Sequence, residues 1–312
     1  MPGGCGWSRR EFLKAAGGAV AMAAGALTPQ GVLAAAGKTA DVSVVSGGGP
    51  AENARKAVAL LGGMGAFVSR GDVVVLKPNI GWDRTPEQAA NTDPAFVVAV
   101  AEMCLAAGAK SVRVFDRTCN EPRRCYVNSG IQEAVERFAK KAGAGDAVRI
   151  YHVEDRKFVR TAIPSPLVLP EWELYRDALE ADRIVNVPVA KHHSLAGVTL
   201  GLKNMMGIMG GNRGQVHARL SECLVDINRR VPAALTVIDA GRVLMRNGPS
   251  GGNLADVKAF GKAFASADPV AGDAVAAEIL FGLEAAEVAH IRKAMESGIG
   301  ISSSAQLRRI EG

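Results

Sequence analysis

Asp72–Asn79 reads DVVVLKPN, and the segments after it decide the fold. Pro94–Gly108 follows as PAFVVAVAEMCLAAG, then Ser111–Asp116 as SVRVFD. An unbroken Val/Leu run, a stretch with apolar residues at helical spacing and a second Val run together predict two parallel strands joined by a crossover helix. The same alternation recurs outward in both directions. DVSVV (Asp41–Val45) precedes a helical pattern near residues 51–61, and GIQEAVERFAKKAG (Gly130–Gly143) precedes AVRIYHV (Ala147–Val153). RIVNVPVAK (Arg183–Lys191), ALTVIDAG (Ala234–Gly241) and two closing helices at 269–281 and 287–297 complete the set. Apolar runs without period-2 alternation belong to strands covered on both faces, so the expected fold is α/β, a mostly parallel sheet with helices on both sides. Between Arg156 and Pro170 the pattern turns β-like and proline-rich, which predicts a small antiparallel excursion and a lobe boundary near residue 155.

The first 36 residues stand apart from this pattern. SRREFLK (Ser8–Lys14) carries paired arginines, a weakly apolar run spans Ala15–Leu27, and Ala34–Ala36 is a small-residue cleavage site. This is the pattern of a twin-arginine export signal, and it implies passage through the twin-arginine translocase to a periplasm. The apolar run is too short and too rich in Ala and Gly for a bilayer span, so no stable membrane span is expected. Of 312 residues, 276 remain after residue 36, enough for one α/β domain over 37–312. The formal charge of +6 falls to +4 without Arg9, Arg10, Lys14 and Glu11. That excess suits a small anionic ligand or an ordinary solvated surface, and with no basic run interleaved with aromatics it excludes nucleic acid as the expected partner.

Ligands of open α/β sheets sit beyond the carboxyl ends of the strands, and four polar loops follow strands here. They are KPNIGWDRTP (Lys77–Pro86), DRTCNEPRRC (Asp116–Cys125), DAGRVLMRNGPSGG (Asp239–Gly252) and KHHSLAGVTLGLKNMMGIMGGNRGQVH (Lys191–His217). The last holds three of the five histidines, two lysines, an arginine and glycines at 197, 201, 207, 210, 211 and 214. Imidazole is a base poised near neutrality and a metal ligand, and lysine holds anions or bonds to a carbonyl carbon. His192 and His193 are adjacent, so on a strand only one of them enters a shared pocket. A helix starting near Ser194 would add free N–H groups for an anion. The alternative is a tight helix–sheet contact with solvated His and Lys.

Four cysteines lie beyond the signal. Cys119 and Cys125 bracket a turn-rich loop, which in an oxidising compartment admits a local disulfide, and Cys104 reads as core. Met205, Met206 and Met209 read as core at helical spacing. Asp268 before Pro269 reads as a helix cap, and Asp273 is a candidate site carboxylate.

KPN, VPVAKHHSLAGVTLGLKNMMGIMGG, DAGRVLMRNGPSGG and ASADPVAGDAVAAE together resemble the family of domain of unknown function 362, over nearly all of the chain after the signal. More distantly, HSLAGVTLGLK (His193–Lys203) is similar to the HxxAGxSGGxK stretch of nickel-dependent lactate racemases. That resemblance implies His193 as catalytic base, Lys203 as the lysine joined to a nucleotide-like cofactor, and His217 as a metal ligand. It also implies a phosphate-binding role for Arg84 and Thr85. The chain departs from that pattern at FDRT (Phe115–Thr118), where the second histidine base is missing. A shared phosphate- or nucleotide-binding scaffold is what the resemblance implies best.

The expected site therefore has His193 as acid/base and Lys203 as catalytic lysine. Lys77, Asn79, Arg84, Thr85, Lys191, Lys203 and Asn204 would hold an anion or cofactor. His217, Asp239 and Asp273 would hold a metal ion, nickel or iron. The competing expectation is a non-catalytic redox or metal-handling protein that uses the same pocket for binding.

Overall fold

A computed structural model describes residues 40–312, so the export signal expected over 1–36 lies outside the described residues. The central sheet grows from β2 (Val73–Pro78), β3 (Ser111–Val114), β4 (Val148–Ile150) and β7 (Arg183–Val187), all parallel. β10 (Leu235–Leu244) pairs with β7 in parallel. Beyond it β11 (Val257–Ser266) runs antiparallel to β10 and to β1 (Ala40–Ser46), and β12 (Leu307–Glu311) closes the edge parallel to β1. The order is β12-β1-β11-β10-β7-β2-β3-β4, with β8 (Val189–His193) branching from β10 and hairpinned to β9 (Gly197–Thr199). The sheet is mixed and mostly parallel, as the apolar runs imply. The antiparallel excursion is the separate pair β5 (Phe158–Ala162) and β6 (Glu171–Tyr175).

Strand alternation feeds two cores. Val74, Leu76, Val112, Val185, Val237 and Ala263 point to one face, packed beneath α1 (Pro50–Ala59) and α2 (Pro94–Ala106). Val75, Phe115, Ile184, Ile238 and Phe264, the residues between them, point to the other. Each fully buried Val or Leu contributes about 1.5–3 kcal/mol, so a one-residue register slip would exchange two cores and is strongly disfavoured. The second face is covered by α7 (Leu220–Arg230), α8 (Pro269–Phe281) and α9 (Ala289–Glu296). α8 is buried from Val270 to Ala277, and Asp268 caps it by accepting the Val270 and Ala271 N–H groups at 2.9 and 2.8 Å. Such a cap is worth about 1 kcal/mol. Residues on both sides of position 155 fall in one unit. Among the described residues no helix is long and apolar enough to cross a membrane.

The disulfide expectation fails. Cys119 and Cys125 are free thiols, one exposed and one buried, and Glu121 starts α3 (Pro122–Asn128) between them. Its carboxylate takes the Arg123 and Arg124 N–H groups, which turns Cys125 inward against the Gly81 carbonyl and leaves Cys119 exposed.

Candidate functional site

β2, β3 and β7 end side by side, and the segments that leave them enclose a cavity of about 260 Å³. That is just under the roughly 300–1,000 Å³ of ordinary small-molecule sites, a size for a small metabolite rather than a nucleotide. Lys191 and His193 come from β8 and Thr199 from β9. The β8–β9 register pairs Lys191 with Thr199, so period-2 geometry puts these three side chains on one face. Lys203 follows on α6 (Gly201–Asn204), and Arg213 and His217 lie on a 3₁₀ segment over 213–219.

The floor of the cavity is a buried ion pair. Lys77 Nζ lies 2.8 Å from Asp116 Oδ1 and donates to the Pro78 carbonyl at 2.6 Å. Asp116 Oδ2 accepts the Ile80 N–H at 2.7 Å. Gly207 passes directly over the pair. A Cβ there would sit 1.8 Å from Asp116 Oδ1 and 2.3 Å from Lys77 Cε, so only glycine fits. Lys77 is therefore a sealed structural cation; burial pulls its pKa down while Asp116 opposes that shift.

A chain of amides positions Lys191. Asn186 Nδ2 donates to the Gly201 carbonyl, and Asn204 Nδ2 donates to Asn186 Oδ1 at 2.8 Å and to the Lys77 carbonyl at 3.0 Å. Asn79 Nδ2 then donates to Asn204 Oδ1 at 2.9 Å, and Asn79 Oδ1 accepts from Lys191 Nζ at 3.1 Å. Each amide is orientationally determined by its neighbours, so the network is rigid. Asn79 and Asn204 thus serve the site by holding a lysine.

Four cations line the cavity without a carboxylate partner among the described residues: Lys191, Lys203, Arg117 and Arg213. Arg213 donates to the Arg117 and Thr118 carbonyls at 2.7 and 2.6 Å and lies 3.2 Å from Cys119 Sγ. Arg117 donates to the Met209 and Gly211 carbonyls, both at 2.9 Å. Burial lowers the Lys191 pKa to about 7 and the Lys203 pKa to about 8, in the latter case with Arg213 adding like-charge repulsion. Buried cations without counter-charges are costly unless a ligand supplies the charge.

The two histidines have opposite hydrogen-bonding states. His193 Nδ1 accepts the Leu195 and Ala196 N–H groups at 3.1 and 3.3 Å. The ring is neutral with its proton on Nε2, and burial beside Lys203 and Lys191 pulls its pKa down to about 3. A ring in this state donates from Nε2, which differs from the base expected of His193. The expected helix near Ser194 is replaced by the β8–β9 hairpin, and the N–H groups reserved for an anion go to His193 instead. His217 is the converse. Its Nδ1 donates to the Gly214 carbonyl at 3.0 Å, leaving the Nε2 lone pair free, and burial lowers its pKa. The ring centroids are 6.1 Å apart.

The expected metal ligands do not converge. Asp273 is buried in α8 and accepts the Gly201 and Leu202 N–H groups at 2.7 and 2.9 Å, so it anchors the turn that carries Lys203. Burial lifts its pKa to about 7. Asp239 faces a different cavity, of about 460 Å³, with Asp93 and Arg242, and accepts the Asp93 and Gly241 N–H groups. Its pKa is raised to about 6, by burial first and by Asp93 second. His217 remains alone at the first cavity. Among the described residues no three His, Cys, Asp or Glu side chains are placed to share a metal ion, so the donor set does not fit nickel or iron. Arg84 and Thr85 also lie outside the cavity lined by Lys203. Arg84 ties its loop to the Gly251 carbonyl, and Thr85 caps a short 3₁₀ turn with Gln88, so neither is placed to bind phosphate there.

Arg117, Arg213, Thr199 and Cys119 are site residues that the motif reading passed over. Thr199 was legible as the residue facing Lys191 once a hairpin is allowed at Gly197, which has φ +75°. Arg117 carried no such signal, since its neighbours in the cavity are distant in sequence, whereas Arg213 shares the segment of Lys203 and His217.

The thylakoid-associated protein sll1697 of Synechocystis is 31% identical over 228 residues, which span 70% of this chain and 66% of that relative. The lactate racemase apoprotein of Thermoanaerobacterium thermosaccharolyticum superposes with TM-score 0.45 at 11% identity, over 78% of this chain and 57% of its own. A Thermotoga maritima protein superposes with TM-score 0.35 at 13% identity, over 64% and 52%. This chain thus spans a little under two thirds of the curated relative and little more than half of each solved neighbour. The profile of one family, described as a domain of unknown function, matches residues 74–278, from the second sheet strand through the helix of Asp273, and the chain belongs to that family, DUF362.

Proposed function

We propose that the protein is an exported α/β enzyme that binds a small anionic molecule in the Lys191–Lys203–Arg213 cavity and catalyses proton transfer on it. The observation that supports this reading is a 260 Å³ cavity with four cations and one carboxylate, Asp116, already paired with Lys77. His217, with a free Nε2 lone pair, is the proton acceptor. His193, with its proton on Nε2, donates a hydrogen bond to the oxygen on which charge develops. Binding and orientation fall to Lys191 and Arg213.

Phosphate, lactate and pyruvate, each added well above its dissociation constant, are expected to raise the melting temperature. Saturation near 100 Kd is worth about 2.7 kcal/mol. Lys191→Met and Arg213→Met are expected to abolish that response. A wild-type protein indifferent to all three anions would refute the reading. Binding without turnover in a screen of proton-transfer substrates would leave a ligand-carrying protein. Export is tested separately: Arg9→Lys with Arg10→Lys is expected to leave precursor in the cytoplasm, and mature periplasmic protein from that variant would sink the signal assignment.

A further inference from the structure

Thr199 and Lys203 each present to the cavity a polar group that has no protein partner among the described residues. Thr199 is 3% exposed and its Oγ1 makes no hydrogen bond. Lys203 is 9% exposed, and its Nζ makes neither an ion pair nor a hydrogen bond. Both line the same cavity as Lys191, Arg213, His193 and His217. An unpaired ammonium at this depth is out of place as a structural group, whereas Lys77, buried more deeply still, has both a carboxylate and a carbonyl. The backbone under Lys203 is held firmly by the Asp273 carboxylate at Gly201 and Leu202, so the free amine sits on a fixed mount.

We propose that Lys203 is a covalent catalyst whose Nζ condenses with the carbonyl carbon of a small 2-oxo acid. This rests on the anion-binding reading above and names the ligand class. The cavity suits a small molecule, and its cations stand beside the amine, so the anionic group and the carbonyl lie close together on a ligand that meets both. Adjacent carboxylate and carbonyl groups meet that condition. Lys191, Arg213 and the Thr199 hydroxyl hold the carboxylate. His193 Nε2–H points its hydrogen at the carbonyl oxygen.

The chemistry balances without an outside reagent. The neutral amine of Lys203 forms a C–N bond as the C=O π bond opens. The nitrogen gives up both of its protons in turn, the carbonyl oxygen takes both and leaves as water, and a C=N bond remains. His217 Nε2 relays each proton from nitrogen to the leaving oxygen. Burial supports the reaction independently of this geometry, because it brings the amine to about pKa 8 and leaves a useful fraction unprotonated near neutrality. The imine acidifies the neighbouring C–H bond, and His217 is the base in place to take that proton.

The test uses the full chain with pyruvate and sodium cyanoborohydride, followed by peptide mass mapping. The expected result is one adduct, of pyruvate less one oxygen atom, on Lys203. Lactate, which has no ketone carbonyl to condense, should suppress it. Lys203→Arg should lose the adduct while lactate still raises its melting temperature, and Lys203→Met serves the same purpose if the arginine does not fold. An adduct on Lys191, or equal labelling of exposed lysines in wild type and Lys203→Arg, overturns the assignment. Stabilisation by lactate without any adduct on Lys203 overturns the imine and leaves the anion cavity standing. Failure of lactate and phosphate alike to stabilise the protein overturns both.

Discussion

Acidification from about pH 7.5 to about pH 4.5 charges an ordinary histidine, and His193 is built to resist it. Its Nδ1 lone pair is committed to the Leu195 and Ala196 N–H groups, and Lys203 and Lys191 repel added charge, so the folded-state pKa sits near 3 against an ordinary 6.5. The folded state therefore holds fewer protons than the unfolded chain between these two values. Stability from this group is fully present above about pH 6.5 and is lost as pH falls toward 3. Near pH 4.5, two units below the ordinary value, the full loss would be about 2–3 kcal/mol. Water in the cavity screens the open side of the ring, which leaves about 1–2 kcal/mol. His193→Asn isolates this contribution, because its Oδ1 can take the place of Nδ1 while the titration disappears. Urea unfolding of both proteins at the two pH values should show the wild type losing about 1–2 kcal/mol more than the variant. Nitrogen-15 spectra should show His193 protonated on Nε2 alone throughout. Equal losses in the two proteins, or a His193 that titrates near pH 6, would refute the donor assignment and restore His193 as a base.

Two further predictions concern the groups moved from their expected roles. Asp273→Ala removes a carboxylate from two buried N–H groups and is expected to cost about 2–4 kcal/mol in urea unfolding, more than an ordinary site residue. A loss under about 0.5 kcal/mol would mean that Asp273 does not anchor the Lys203 turn. Iodoacetamide should modify Cys119 in the native protein without prior reduction, and should reach Cys125 and Cys104 only on unfolding. Native Cys119 that reacts only after reduction would reinstate the disulfide.

β11 and β12 escape a sequence reading that finds the other long strands. VKAFGKAFAS interrupts its alternation with Gly261, which adopts φ +59°, and only its second half is buried. β12 is a five-residue edge strand with no fully buried residue. Apolar periodicity reports burial, so strands that bury little leave little trace. Likewise α6 is a single turn of four residues whose position is set by Asp273, 72 places beyond Gly201.

By itself the sequence determined what depends on near neighbours. Continuous Val runs and helical spacing settle an α/β chain with a mostly parallel sheet. Asp268 before Pro269 settles a cap, and adjacency settles that only one of His192 and His193 faces the site. Segments that leave the carboxyl ends of strands also had to carry the candidate site, which placed His193, Lys203, Lys191 and His217 at one cavity. Tertiary structure alone decided their chemistry. Whether Lys77 is free or paired depends on Asp116, 39 positions away, and whether Asp239 and Asp273 meet His217 depends on which cavity each strand or helix end faces. Which nitrogen of a histidine carries the proton depends on the backbone groups that reach the ring. Burial, pairing and tautomer are properties of surroundings in space, and a linear pattern records only surroundings along the chain.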